Sequence, residues 1–349
     1  MIVKDLWERI KSGKPFFIAE AGVNHLGSLD LAEKLIKGAS EGGAHAIKFQ
    51  SYKAKNLCTK NAPRFWDWEG EVKEKGNQFD SYSELDSFGE KEHIELKKMC
   101  DYYQIEFMST PFDDSATDYL DRIGIRAYKI ASCDLTNHPL LENVASKGKI
   151  VMLSTGAGAL DEIKNAVNIV NKGTQKIVIM HCNLKYPTED NEINLRMINN
   201  LKKEFPNYII GLSDHTRNLW TPSFAHALGG SIIEKHFTID KTLGKSADHW
   251  LSVDPSEVKQ IISNLNFAEQ LLGLEDKKCT ESEERAKLYA RRSIVSNKFI
   301  PKGTILDRDN LTSKRPGTGI SPTNFNKIIG KITIKDIPED HLISYEDFK

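Results

Sequence analysis

The chain has 349 residues and a formal net charge of −1, which excludes a global field for nucleic acid or an acidic membrane surface, so any anion has to be gripped locally. That length exceeds one small domain and accommodates a barrel of about 250 residues with a small appendage. No run approaches the roughly 18 apolar residues of a membrane span and the start lacks a signal peptide's apolar core, so the expectation is a cytoplasmic protein with no nucleic-acid and no membrane partner.

Segment 16–21 reads as a first strand, and Ser28 can cap a helix whose apolar stripe of Leu31, Ala32, Leu35, Ile36 and Ala39 stops at Gly42 and Gly43. Strand-like runs recur at 46–51, 106–110, 127–132, 150–154, 177–181, 209–213 and 232–236, separated by segments of helical periodicity. Strands that alternate with helices in this way predict an α/β protein, a (β/α)8 TIM barrel, with an open doubly wound sheet as the alternative. The connection from about 52 to 89 is long and carries Phe65, Trp66, Trp68, Phe79 and Tyr82, which suits either a lid over a catalytic face or a packed surface insertion.

After the barrel, expected over 1–274, the charged stretch 275–292 reads as a linker with a short helix, and 293–349 as a small all-β domain. IPKGTILDRDNL at 300–311 and IPEDHLISYEDF at 337–348 align without a gap, as two similar halves would. Cys58, Cys100, Cys133, Cys182 and Cys279 are odd in number and contain no CxxC pair. They are expected to be reduced and mostly buried, with no zinc cage.

Polar residues fall at or just past the C-terminal ends of nearly every predicted strand: Glu20 and Asn24, Lys48 and Gln50, Ser109 and Thr110, Lys129 and Ser132, Ser154, His181, Ser213 and His215, Glu234 and His236. In a (β/α)8 barrel that rim carries the active site. A lysine inside a barrel calls for an anionic partner, so Lys48 and Lys129 among Thr110, Ser132, Ser154 and Ser213 form a candidate cradle for a small phosphate or carboxylate dianion. Any one of these hydroxyls alone would be an ordinary satisfied strand end; their convergence from different strands is what points to a ligand.

His215 and His236 end consecutive strand-like runs, each next to or near an acidic residue, and two convergent neutral imidazoles suit a divalent transition metal. A hydrogen-bonded rim histidine is the competing reading of each. A metal beside an anion cradle would polarise an aldehyde oxygen while the enol carbon of a bound enol phosphate attacks it, forming a carbon–carbon bond. Two other classes stand against this: a metal-dependent barrel hydrolase, which usually needs more ligands and an HxH pair on the first strand that this chain lacks, and a non-catalytic carbohydrate-binding protein, which leaves the rim lysines and histidines unexplained.

EAGVNHLGS at 20–28, IKFQ at 47–50, STPFD at 109–113, YKIASCDLTNHPLL at 128–141, LSTGA at 153–157, GLSDHT at 211–216, EKHFT at 234–238 and KRPGTG at 314–319 together resemble the bacterial sialic acid (N-acetylneuraminate) synthase family, which includes legionaminic and pseudaminic acid synthases. The resemblance spans nearly the whole chain in order. It implies condensation of phosphoenolpyruvate with an N-acetylated hexose to a nine-carbon sialic acid plus phosphate, a C-terminal antifreeze-like (SAF) domain, and a domain-swapped homodimer. It further implies Mn2+ or Mg2+ on His215 and His236, phosphoenolpyruvate on Lys48, Thr110, Lys129, Ser132, Ser154 and Ser213, and Glu20 in the acid–base or water-handling step. Gln50, Tyr186, Asp248 and Arg315 would contact the sugar, and Asp134 stands where the family pattern has a rim Glu. Leu184 replaces an expected Asn, with Asn183 beside it, and the loop bearing Asp248 is one residue longer than the pattern and runs on into His249 and Trp250. These departures leave the identity of the sugar open.

Overall fold

The computed structural model describes residues 4–66, 76–244 and 248–349; Trp68 of the long connection lies outside them. The chain divides into two compact units, Met1–Gly273 and Leu274–Lys349.

In the first unit, eight strands close into a barrel in sequence order: β1 (Phe16–Gly22), β2 (Ala46–Ser51), β3 (Glu106–Pro111), β4 (Ala127–Ile130), β5 (Ile150–Ser154), β6 (Ile177–Cys182), β7 (Ile209–Asp214) and β8 (Ile232–His236). Every neighbouring pair is parallel, including β1 with β8, so the open sheet is set aside. The predicted strand boundaries hold to within a residue except at β4. That strand stops at Ile130, and Ser132–Asp134 forms a 3-10 turn instead. Ser28 caps Leu29–Glu41 through Leu31 N, as expected from the sequence.

Strand alternation sorts the side chains into two cores. Phe16, Ile18, Ala46, Met108, Ala127, Ile150, Met152, Val178, Met180 and Ile232 fill the lower barrel interior together with Leu6 and Ile10 of the helix Leu6–Lys11. Residues of the opposite parity, such as Phe17, Ala19, Ile47, Phe49, Phe107, Tyr128, Val151 and Leu153, pack in the larger cluster with apolar residues of the helices, among them Leu35, Leu96, Leu120 and Val144. Continuing each inward series toward the C-terminal end replaces hydrocarbon by charge: Phe16, Ile18, then Glu20; Ala46, then Lys48; Ala127, then Lys129; Ile232, then Glu234 and His236. The apolar floor therefore supports a polar upper layer, and that layer is the site.

The cysteines correct one expectation. All five are free, but only Cys100 and Cys182 are buried; Cys58 is half-buried, and Cys133 and Cys279 are exposed. Cys133 sits in the 3-10 turn that replaces the end of the predicted fourth strand, and Cys279 in an exposed charged stretch.

In the second unit, β9 (Ser293–Ser296) pairs antiparallel with β10 (Leu311–Lys314), and the helix Glu284–Ala290 precedes them. The internal sequence echo is a structural repeat. Ile300 and Ile337, its first residues, bridge each other. Corresponding Leu306 and Ile343 are both buried, and Gly303 (φ 86°) and Asp340 (φ 64°) make the same left-handed turn. Asp307 N donates to Asn310 Oδ1 at 3.0 Å in one half and Ser344 N to Asp347 Oδ2 at 2.7 Å in the other.

Candidate functional site

The centre of the upper layer is a lattice of alternating charges. Lys48 Nζ lies 2.5 Å from Glu20 Oε2, donates to Thr110 Oγ1 at 2.8 Å, and stands 4.0 Å from Glu234 Oε2. Lys129 Nζ and Ser213 Oγ both donate to Glu234 Oε1, at 2.7 and 3.1 Å. Gln50 Nε2 donates to Glu20 Oε1 at 3.1 Å. All of these except Gln50 are buried. Ser154 Oγ is buried in the same layer without a hydrogen-bond partner among the described residues, a donor left for a ligand.

The two carboxylates differ. Burial, with the nearby Glu234 charge adding to it, pushes the Glu20 carboxyl up to about 7 against the pull of Lys48. Burial acts on Glu234 as well, but Lys129 and Lys48 together overcome it and hold that carboxyl below its ordinary value. Carboxylates driven apart in this way mark distinct roles in proton chemistry.

Beside the lattice stand the histidines. The His215 and His236 ring centroids are 5.4 Å apart, and the Tyr186 ring lies 4.0 Å from that of His215 and 5.7 Å from that of His236. His215 Nδ1 faces the Asn183 carbonyl at 2.7 Å, which places one proton there and leaves Nε2 as the nitrogen a ligand can reach. Burial disfavours a second proton, but Cys182, that carbonyl and Asp214 outweigh it and raise this imidazole above its ordinary value. His236 is held well below its ordinary value by burial and by the neighbouring His215, Lys48 and Lys129 charges, so it is neutral. Its Nδ1 lies 3.5 Å from Asp248 Oδ2, and burial raises that carboxyl to about 6. The residues therefore present two convergent imidazoles, of which His236 is neutral, while among the described residues no group of three or more His, Cys, Asp or Glu side chains forms a metal cage. A divalent ion fits such a pair only with its remaining positions open to water or substrate.

The structure thus brings Glu20, Lys48, Gln50, Thr110, Lys129, Ser154, Ser213, His215, His236, Tyr186 and Asp248 together at the C-terminal end of the barrel. Ser132 Oγ, in the adjoining turn, accepts from Gly156 N at 2.9 Å. Asp134 lies two residues further and accepts from Asn137 Nδ2 at 3.0 Å. Arg315 belongs to the second unit, in the exposed turn after β10.

Three rim residues singled out in the sequence face elsewhere. Ser109 bonds Ser51 at 2.7 Å, and Ser51 in turn bonds His93 at 2.8 Å, on the outer side of the barrel. His181 Nε2 meets the Ile193 carbonyl at 2.6 Å, and Asn24 Nδ2 donates to the Phe237 carbonyl at 2.9 Å. Conversely, Glu234 is the hub of the lattice, a role sequence inspection did not give it. Its place two residues before His236, on the same strand face, was the available signal.

Fold and site define a (β/α)8-barrel protein with a charged strand-end site and a small C-terminal β domain. The chain belongs to the NeuB family, whose model matches residues 35–277, and the SAF domain model matches residues 291–349. It is 40% identical over 335 residues to N,N'-diacetyllegionaminic acid synthase of Campylobacter jejuni, covering 95% of this chain and 99% of that one. To the protein of the same name from Legionella pneumophila it is 37% identical over 320 residues, covering 90% and 89%. The crystal structure of N-acetylneuraminic acid (sialic acid) synthetase from Leptospira borgpetersenii, in complex with citrate, superposes with a TM-score of 0.70 at 37% identity, covering 78% of this chain and 90% of that one. Among the described residues no helix is long and apolar enough to cross a membrane.

Proposed function

We propose that the chain condenses phosphoenolpyruvate with an N-acetylated hexose, N-acetylmannosamine or a diacetylated relative, to give a nine-carbon sialic acid and phosphate. The observation that carries this reading is the lysine–carboxylate lattice with the unpartnered Ser154 hydroxyl, set directly beside two convergent imidazoles. Lys48, Lys129 and the hydroxyls of Thr110, Ser132, Ser154 and Ser213 bind the anionic substrate, a role that charge-assisted hydrogen bonds suit. Glu20, with a carboxyl near neutrality, moves the proton of the water that adds to the carbon bearing phosphate. Gln50, Asp134, Tyr186, Asp248 and Arg315 orient the hexose, and the active species is a homodimer in the cytoplasm.

His215 and His236 would hold Mn2+ or Mg2+, which when bound supplies Lewis-acid polarisation of the aldehyde oxygen. The two relatives named for N,N'-diacetyllegionaminic acid, at 40% and 37% identity, favour a diacetylated acceptor. The test is phosphate release from phosphoenolpyruvate across a panel of mono- and diacetylated hexoses. Release that requires one of these sugars, with the diacetylated ones turning over fastest, is expected; release without sugar, or none with any, overturns the reading.

A further inference from the structure

The mechanism leaves one buried ion pair unused. Asp214 and Lys235 are direct cross-strand neighbours on β7 and β8, one residue before His215 and His236 respectively, and their parity turns them to the outer side of the barrel wall. Each is 1% exposed. Lys235 Nζ lies 2.7 Å from Asp214 Oδ2 and also donates to the Thr216 carbonyl. Asp214 Oδ1 accepts from Thr216 N at 2.8 Å, and Thr216 Oγ1 donates to Thr221 Oγ1 at 3.1 Å. Lys235 therefore grips the residues on both sides of His215, Asp214 through its carboxylate and Thr216 through its carbonyl, while its own neighbour is His236.

Stability is a poor account of this arrangement. A buried pair loses in desolvation about what it gains in attraction, and well-packed apolar residues serve as well or better. The two strands are already joined by the barrel's own hydrogen bonds. What the pair adds is a fixed spacing and orientation of the two residues that follow it.

We propose that Asp214 and Lys235 are positioning residues whose ion pair, locked behind β7 and β8, sets the His215 and His236 imidazoles for a divalent cation. This rests on the metal reading given above. Groups behind metal-binding histidines commonly tune affinity by 10- to 100-fold.

The experiment measures Mn2+ binding by the resonance signal of the free ion, alongside phosphoenolpyruvate binding by calorimetry and the thermal midpoint, in the full-length chain. Asp214→Asn/Lys235→Met removes both charges together, leaves no unpaired buried ion, and keeps an acceptor for Thr216 N. The Mn2+ dissociation constant is expected to rise about 10- to 100-fold, with phosphoenolpyruvate affinity unchanged and the midpoint unchanged or raised. A lowered midpoint with wild-type Mn2+ affinity would mean a merely structural pair and overturns the proposal. If the double variant does not fold, Lys235→Arg serves, because a planar guanidinium cannot hold Asp214 and the Thr216 carbonyl at the same spacing. Weaker Mn2+ binding supports the proposal and unchanged binding rejects it. Equal Mn2+ binding by the wild type and His236→Ala would instead overturn the metal reading itself.

Discussion

Glu20 and Lys48 sit opposite each other on β1 and β2 and meet through a 2.5 Å ion pair in the upper layer of the barrel. Salt bridges usually depress a carboxyl's pKa, yet burial outweighs the lysine here and Glu20 is raised to about 7. The Glu20 carboxyl is therefore protonated and ionised in comparable measure around neutral pH.

A stability slope follows. An unfolded glutamate ionises near 4.3, below the folded value of about 7, so the folded chain holds this proton more tightly. The contribution is present in full below the unfolded value and lost as pH rises through the folded one. Urea unfolding between pH 5 and pH 8 should show the wild type losing stability over that window and Glu20→Gln losing less. The same substitution should lower kcat by about 10²- to 10⁴-fold. Parallel stability curves would contradict the raised carboxyl.

For the histidine pair, chelation should abolish turnover and Mn2+ or Mg2+ should restore it. His236→Ala should fold and remain inactive at ordinary metal concentrations, since one imidazole is half of the protein's ligand set. Circular dichroism checks the fold and direct Mn2+ binding checks the loss. Full activity in a chelator-treated, metal-free sample would remove the ion from the reaction.

Strand positions were legible because parallel barrel strands are short apolar runs bounded by polar rims, and inward parity carries Glu20, Lys48, Lys129 and His236 to one layer once the barrel closes. Pairing was not legible. Lys129 and Glu234 are 105 residues apart in the chain, and no local pattern says that one meets the other. His181 stands among the polar strand ends in the sequence, where the end of its strand is visible but its facing is not: Val178 and Met180 face inward, so His181 faces out. The backing of His215 by the Asn183 carbonyl is a backbone contact across 32 residues, which side-chain identity does not encode.

Bond cleavage offers a separate prediction. Attack by the enol carbon on the aldehyde leaves a cationic centre at the carbon that bears phosphate, and water adding there gives a tetrahedral species that expels phosphate with its bridging oxygen. Isotope placed in the bridging oxygen of phosphoenolpyruvate should therefore emerge in inorganic phosphate by mass spectrometry. Its retention in the sugar acid would mean cleavage of the phosphorus–oxygen bond, with water attacking phosphorus, and the role given to Glu20 at the carbon bearing phosphate would fall.

Arg315 distinguishes two assemblies. In the swapped homodimer implied by the family resemblance, each chain's Arg315 serves the sugar bound by its partner, whereas an ordinary surface arginine serves no site. Arg315→Ala and His236→Ala chains should each be inactive alone. After dissociation and joint reassociation, a mixed dimer contains one barrel with both histidines, on the Arg315→Ala chain, and that barrel receives an intact Arg315 from the other chain. Random pairing makes about half of the dimers mixed, each with one complete site of two, so roughly a quarter of wild-type activity should return. If Arg315 serves only its own chain, no site in the mixture is complete and activity stays at the level of the separate variants. Mixing verified by native mass spectrometry with no recovered activity would reject the swapped arrangement, and full activity of Arg315→Ala alone would reject any role for the residue in binding the sugar.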